Sequence, residues 1–145
     1  MKKFLAKKIK MSQVWRNDKV IPVTVLKVES ENEVFSENFK EGIQIKISGK
    51  SKGKGFQGVV KRHGFAGGPK THGQKDRLRA PGSIGPTAPQ RTIKGRKMAG
   101  HMGQKRVTLK NVEVLSVDKN ERIIQVKGPV PGMRGALVEL IVSNS

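Results

Sequence analysis

The sequence contains no cysteine, and only eleven of its 145 residues are acidic. The lack of cysteine excludes a disulfide scaffold and a zinc site built on thiolates, and it fits a reducing compartment. No window approaches the roughly 18 consecutive apolar residues of a membrane span. Lys7, Lys8 and Lys10 interrupt the apolar run that a signal peptide requires near its start. We therefore expect neither a membrane partner nor a leader peptide.

The scarcity of acids leaves thirty Lys and Arg residues and a net charge of +19. One stretch, Ser48 to Arg106, holds fifteen of these cations and a single acid, Asp76. It also holds thirteen of the seventeen glycines, four of the seven prolines and all three histidines. Such a segment cannot bury a core of its own, and its like charges repel unless a partner neutralises them. The composition predicts a polyanionic partner, nucleic acid before an anionic membrane.

The flanks of this stretch are rich in Val, Ile and Leu and predict short strands without a long helix. The predicted strands are Phe4–Trp15, Val20–Val28, Ile43–Ile47, Arg106–Val117, Arg122–Lys127 and Ala136–Val142, with a further short strand at Val34–Phe35. Strand number and spacing favour an antiparallel barrel or sandwich. The predicted organisation is one β domain made of residues 1–47 and 107–145, with residues 48–106 inserted as a basic arm.

Local signals refine this prediction. Asn17-Asp18-Lys19 and Asp118 to Glu121 have the composition of turns, and Gly128 to Gly132 that of a stiff loop. The apolar alternation slips near Lys110-Asn111, which predicts a bulge or bend. Pro22 is expected near the start or at the edge of its strand. In the first strand, Leu5, Ile9 and Met11 are expected on one face and lysines on the other.

Three sequence features suggest other chemistry. Gly53-x-Gly55-x-x-Gly58 matches a dinucleotide fingerprint, but Gly64 ends any following helix within two turns, and a Rossmann unit also needs parallel strands. His63, His72 and His101 have no spacing typical of a metal site. No nucleophile elbow or metalloprotease motif is present. We expect no enzyme activity, no cofactor, no metal and no small-molecule substrate.

Within the basic stretch, glycines alternate with cations and with Phe56, Phe65 and Ile84. Glycines let backbone N–H groups approach phosphates, and the apolar side chains either contact bases or pack at the root of the arm. A flexible arm suits irregular RNA better than duplex DNA, which is usually bound by a rigid helix or ribbon. RNA is therefore the favoured partner, and a free basic nucleic-acid-binding or chaperone module stays open as an alternative.

Three runs resemble the bacterial large-subunit ribosomal protein three family: SKGKGFQGVVKRHGFAGGPKTHG, RAPGSIG and KGRKMAGHMGQKRVT. KKIKMSQVW and VKGPVPGMRGALVEL are similar to the family's two terminal segments. The resemblance implies a translation-protein-type β-barrel, an extension toward the peptidyl-transferase centre, and a cytoplasmic place in the large ribosomal subunit. It implies direct and early binding of the large-subunit (23S) rRNA, contacts with neighbouring ribosomal proteins, and no catalysis by the protein.

The predicted rRNA-binding residues are thirteen of the fifteen cations of Ser48–Arg106 and its three histidines. They are Lys50, Lys52, Lys54, Lys61, Arg62, His63, His72, Arg77, Arg79, Arg91, Lys94, Arg96, Lys97, His101, Lys105 and Arg106. By the resemblance, the tip near the peptidyl-transferase centre comprises Gly82, Ser83, Ile84, Gly85, Pro86, Thr87, Ala88, Pro89, Gln90, Arg91 and Thr92.

The chain departs from the family pattern at three places. Only Glu29 to Gly42 separates the second predicted strand from the strand before the arm, where family members carry many more residues. Lys10 stands where a glycine is usual. The residues after Gly82-Ser83-Ile84-Gly85 are Pro86-Thr87-Ala88-Pro89. Many bacterial members carry a glutamine just after this motif that can be methylated. Gln90 does not match that position, so no methylation is expected.

Overall fold

The structure is a computed structural model that describes residues 2–29, 35 and 38–142. The chain divides into two compact units. We call Met1–Lys52 with Gln104–Ser145 the barrel unit, and Gly53–Gly103 the arm. The strands that flank the arm in sequence end at Lys50 and begin at Arg106.

The barrel unit is built on six strands, numbered in chain order with the two short strands of the arm, β4 and β5, between them. The six are β1 (Lys2–Arg16), β2 (Lys19–Val28), β3 (Gln44–Lys50), β6 (Arg106–Asp118), β7 (Ile123–Lys127) and β8 (Leu137–Val142). They close into an antiparallel barrel in the order β1-β2-β7-β6-β3-β8. Closure satisfies the backbone groups that an open sheet would leave at its edges. The predicted small antiparallel barrel is confirmed.

Every barrel strand contributes side chains to the core, and burial alternates along the start of β1 and along β7 and β8. Leu26, Ile47, Ile124 and Leu140, for example, are fully buried. In β1 the inward residues are Phe4, Ala6 and Lys8. The predicted apolar face of Leu5, Ile9 and Met11 is therefore wrong, because Leu5 and Met11 are each 50% exposed and an irregularity in the β1–β2 register lies at Ile9.

Lys8 enters the apolar interior because the loop after β7 offers it two carbonyl groups. Its Nζ donates to the carbonyl oxygens of Val130 (2.7 Å) and Gly132 (3.0 Å). The backbone of Lys8 adds bonds to Ala136 and Gly135. The same loop packs on the end of β3, where a Cβ on Gly49 would lie 3.3 Å from Cβ of Pro131. Lys8 thus holds the loop against the strand that leads into the arm.

The predicted turns follow from local chemistry. Arg16 pairs with Lys19 across a two-residue loop in which Asn17 and Asp18 both have positive φ (49° and 57°), as in a type I′ hairpin. Asp118 Oδ1 accepts from the N–H groups of Asn120 and Glu121 in the β6–β7 turn. Both predicted turns are confirmed. Pro22 lies before the β2–β7 ladder begins at Val23, as expected for a residue that cannot donate.

An extra residue in β6 interrupts the ladder that this strand forms with β3. The predicted slip near Lys110-Asn111 is confirmed, because the β3–β6 register gains a residue there and Asn111 has φ of 55°.

The predicted short strand at Val34–Phe35 is wrong at Phe35, and Val34 lies outside the described residues. Phe35 is helical, and its carbonyl accepts from Phe39 N–H at 3.1 Å. Both rings are buried, and that of Phe39 meets Phe4 edge-to-face at 5.0 Å between centroids.

The arm contains two short strands and one short helix. Strand β4 (Phe56–Gln57) pairs antiparallel with β5 (Gly100–His101), and helix α1 spans Val59–His63. Val59 is the one buried residue of Gly53–Gly103, all of which the structure describes. This agrees with the prediction that the basic stretch cannot bury a core of its own.

Candidate nucleic-acid interface

The arm carries a large excess of positive charge at its surface. Gly53–Gly103 contains eleven Lys and Arg residues and one acid, Asp76. The three ion pairs found among the described residues all lie in the barrel unit and join Arg16 and Lys127 to Glu113, and Arg106 to Glu139. No cation of the arm is therefore neutralised by a carboxylate of the described chain.

Near its base the arm is held by backbone bonds. Lys54 N–H donates to Met102 O and Met102 N–H donates to Gly55 O, each at 2.9 Å, next to the β4–β5 pair. Helix α1 ends at Gly64, whose left-handed conformation lets its N–H reach Val60 O. This helix is only five residues long, and the described ladders of the chain are antiparallel. The Gly53–Gly58 fingerprint thus lacks the parallel βαβ setting that dinucleotide binding requires.

Arg62 and His63 brace the arm internally. Arg62 Nη1 donates to Met98 O at 2.6 Å, and His63 Nε2 lies 3.0 Å from the same oxygen. Both residues are half-buried, whereas the other predicted arm cations are exposed. Their geometry gives Arg62 and His63 a structural contact in addition to any contact with RNA.

The segment Phe65–Ser83 closes on itself through a pair of close backbone approaches. Gly68 N–H donates to Leu78 O at 3.0 Å. A Cβ on Gly67 would lie 2.1 Å from Leu78 O, and one on Gly68 would lie 2.7 Å from Arg77 O, so the approach requires glycine at both positions. With its amide oxygen turned toward them, Gln74 accepts from the N–H groups of Arg77 (2.7 Å) and Leu78 (3.0 Å). We call this contact between Gly67-Gly68 and Arg77-Leu78 the clasp.

The predicted tip, residues 82–92, is almost wholly exposed, with Gly85 half-buried. Ser83 Oγ donates to Gly85 O at 3.0 Å, and Arg96 donates from Nη2 to Ser83 O. Arg91 N–H donates to Pro89 O at 2.5 Å. Ile84 is 48% exposed, so an apolar side chain faces outward from this segment.

The predicted binding residues fall in both units. Lys50, Lys52, Lys105 and Arg106 belong to the barrel unit, and the remaining twelve belong to the arm. Arg106 differs from the others because both of its terminal nitrogens donate to Glu139, at 2.8 and 2.5 Å. This pair raises the pKa of Arg106 and lowers that of Glu139. Among the ion pairs of the described residues, Arg106 is thus the one predicted cation that is engaged with an anion.

The prediction left out Lys70 and Lys75, which are exposed and lie in the clasped segment. Charge alone identifies them, since both are among the fifteen cations of the basic stretch. The three histidines have different surroundings. His63 lies beside Phe65, and the His101 ring meets that of Phe56 edge-to-face with 5.9 Å between centroids. His72 is exposed and has a φ of 59°. Over the residues described, no group of three or more His or acidic side chains has the arrangement of a metal site.

Across residues 2–29, 35 and 38–142, none of the helices has the length and apolarity needed to cross a membrane. The described surface of the arm carries groups that are typical of polyanion binding. Exposed ammonium and guanidinium groups stand beside glycine-rich backbone and exposed apolar side chains such as Phe56 (67%) and Ile93 (60%).

Comparison with known proteins gives matches to one family. Residues 19–126 match the family model "Ribosomal protein L3". The "Large ribosomal subunit protein uL3" of Chlorobium limicola is 49% identical over 115 residues, which cover 79% of this chain and 55% of the relative. The protein of the same name from Dehalococcoides mccartyi is 52% identical over 108 residues (74% and 53%), and that from Herpetosiphon aurantiacus 57% identical over 101 residues (69% and 48%).

The chain thus spans about half the length of the relatives it matches. The family match nevertheless runs from the start of β2 almost to the end of β7 and includes the whole arm. The barrel, the basic arm and these matches agree, and the chain belongs to the ribosomal protein L3 family.

Proposed function

We propose that this protein is a structural constituent of the large ribosomal subunit in the cytoplasm and binds the 23S rRNA through its arm. The observation that carries the proposal is the arm's set of eleven cations without an ion-pair partner among the described residues. The family membership and the relatives, which are large ribosomal subunit proteins uL3, support it. The proposed role is non-catalytic.

The proposed mechanism is electrostatic. Lys and Arg side chains neutralise phosphates that converge where rRNA helices meet, and the condensed counterions are released. The phosphate contacts are assigned to Lys70, Lys75 and the predicted cations other than Arg106, which is paired with Glu139. His63, His72 and His101 are assigned as further donors. Glycines let the backbone approach the RNA, and prolines limit the freedom that the arm loses on binding.

The finer roles follow from the family resemblance. The tip, residues 82–92, lies near the peptidyl-transferase centre and supports the RNA there. The protein binds rRNA early in assembly, and the barrel contacts neighbouring ribosomal proteins. The exposed tip, with its backbone bonded locally by Ser83 and Arg96, is suited to insertion between RNA segments.

Two measurements test the proposal. In a sucrose gradient of cell lysate, the protein is expected to migrate with the large subunit after a high-salt wash. If about half of the fifteen cations of Ser48–Arg106 contact phosphate, affinity for 23S rRNA should fall by roughly three to four orders of magnitude between about 50 and 200 mM salt. Migration at the top of the gradient, with equal binding to duplex DNA, would instead indicate a free basic module.

A further inference from the structure

The clasped segment lines a groove on the arm whose apolar part has no place in the electrostatic mechanism proposed above. The groove has a volume of about 760 Å³, within the usual range for ligand pockets. One wall is formed by Phe65 to Pro69 and the other by Ala80 to Ser83. Gln74 and Arg77 lie between them. Phe65 is the aromatic residue of the lining, and its ring is half-buried.

The clasp fixes the distance between these walls. Gly67-Gly68 belongs to the first wall, and Arg77-Leu78 directly precedes the second. The Gly68–Leu78 hydrogen bond and both Gln74 bonds lie inside the segment, as does the Ala80 N–H to Arg77 O bond of 3.3 Å. The groove is therefore formed by local bonds of the arm and does not depend on a ligand to bring its walls together.

The charge around the groove selects its occupant. The segment from Phe65 to Ser83 carries Lys70, Lys75, Arg77 and Arg79 against Asp76 alone. The Arg77 guanidinium is exposed and makes no hydrogen bond or ion pair within the described chain. An apolar lining with an aromatic ring and a cationic rim matches a base attached to a phosphate: the base stacks and the phosphate meets the guanidinium.

We propose that this groove binds an unpaired nucleotide of RNA, with the base against Phe65 and Pro81 and its phosphate at Arg77. The proposal rests on the proposed function, because it assumes that the arm meets RNA, and it names a contact that is not purely electrostatic. The surrounding cations bind any phosphate backbone, whereas the groove admits only a base that has left the helical stack.

The test measures binding of the full chain to an unstructured RNA of about twelve nucleotides, a length within the range of single-strand binding sites, and to a duplex of equal length. Phe65→Leu keeps an apolar side chain and removes the aromatic face. It should weaken single-strand binding roughly tenfold to a hundredfold and leave the salt slope unchanged. Duplex binding should not change. Arg77→Gln should instead reduce the salt slope by about one.

A second variant fills the groove from the other wall. Ala80→Trp should weaken single-strand binding as Phe65→Leu does, while circular dichroism and melting temperature stay those of the parent. Phe56→Leu is the matched control, because Phe56 is exposed on the arm but outside the groove. Its loss should be clearly smaller than that of Phe65→Leu.

The outcomes separate the two proposals. Equal losses for Phe56→Leu and Phe65→Leu, or parental single-strand binding by Phe65→Leu and Ala80→Trp, would overturn the groove proposal, and a steep salt dependence of rRNA binding would still support the proposed function. A parental chain that binds rRNA without salt dependence would instead remove the proposed function itself.

Discussion

Replacement of Lys8 by methionine tests how the barrel holds the loop that follows β7. Lys8 is 7% exposed, and its ammonium group donates to two carbonyls of the loop, at Val130 and Gly132. Methionine has a similar length but cannot donate. The substitution therefore leaves two carbonyl groups of buried residues without this donor. It keeps the backbone bonds between Lys8 and the loop at Gly135 and Ala136.

The size of the effect follows from opposing terms. An unsatisfied buried acceptor costs about 1–3 kcal/mol, so two cost about 2–6 kcal/mol. The variant no longer buries a charge, and its apolar side chain gains on transfer from water, which together offset part of the loss. We expect the free energy of unfolding to fall by about 2–4 kcal/mol. For a unit of this size, the melting temperature should fall by on the order of 10 °C.

The pH dependence gives an independent signature. Burial, with the nearby charge of Lys52, lowers the pKa of Lys8 in the folded protein below its ordinary value of 10.5. Between the folded pKa and 10.5 the unfolded chain binds more protons at this site, so the contribution of Lys8 to stability rises with pH. Below the folded pKa that contribution is constant, with the burial cost fully present. The Lys8→Met variant should lack this rise.

Thermal and urea unfolding of the parent, Lys8→Met and Lys7→Met, from neutral pH to about pH 10.5, would measure both effects. Lys7 is the matched control, because it lies beside Lys8 on the same strand with its side chain exposed. Lys7→Met should be near the parent in stability and should keep the rise with pH. If Lys8→Met were as stable as Lys7→Met at neutral pH, the two carbonyl bonds would not be what holds the loop.

Three further predictions follow from single contacts. Arg106→Gln should leave the salt slope of rRNA binding unchanged, because Arg106 is already paired with Glu139. Glu139→Gln should increase the slope by about one, because it releases Arg106 for a phosphate. Equal slopes in the parent and both variants would contradict this. Gly67→Ala should speed limited proteolysis of the arm and leave barrel melting unchanged, because its Cβ would lie 2.1 Å from Leu78 O. Gly73→Ala, with the same sign of φ and open space around it, should have a much smaller effect; equal proteolysis of the two would count against the clasp. Asp18→Gly should stabilise the barrel by about 0.5–1 kcal/mol in urea unfolding, since φ at this turn position is positive; a loss of stability would contradict the turn assignment.

Several features of the protein could be predicted from the sequence because their causes are local. The concentration of positive charge between Ser48 and Arg106 is a property of composition and requires no fold. Apolar alternation placed the barrel strands, since one face of a strand in a closed barrel is always buried. The turn at Asn17-Asp18 was predictable because these residue types tolerate positive φ. The bulge near Asn111 was predictable because the apolar alternation slips there.

Other features depend on groups that are distant along the chain, and only the tertiary structure decided them. Lys8 lies inside the barrel because carbonyl groups more than a hundred residues away along the chain accept hydrogen bonds from its ammonium group. The alternation of residues in the first strand predicted instead that its lysines face outward. Phe35 packs as a helical residue because the core beside Phe4 has room for the Phe35 and Phe39 rings. The clasp could not be predicted, because glycine is so common in this arm that composition does not show which glycines meet another backbone segment. A close contact between two backbone segments of one loop has no periodicity in the sequence, and it is this contact that gives the arm a groove.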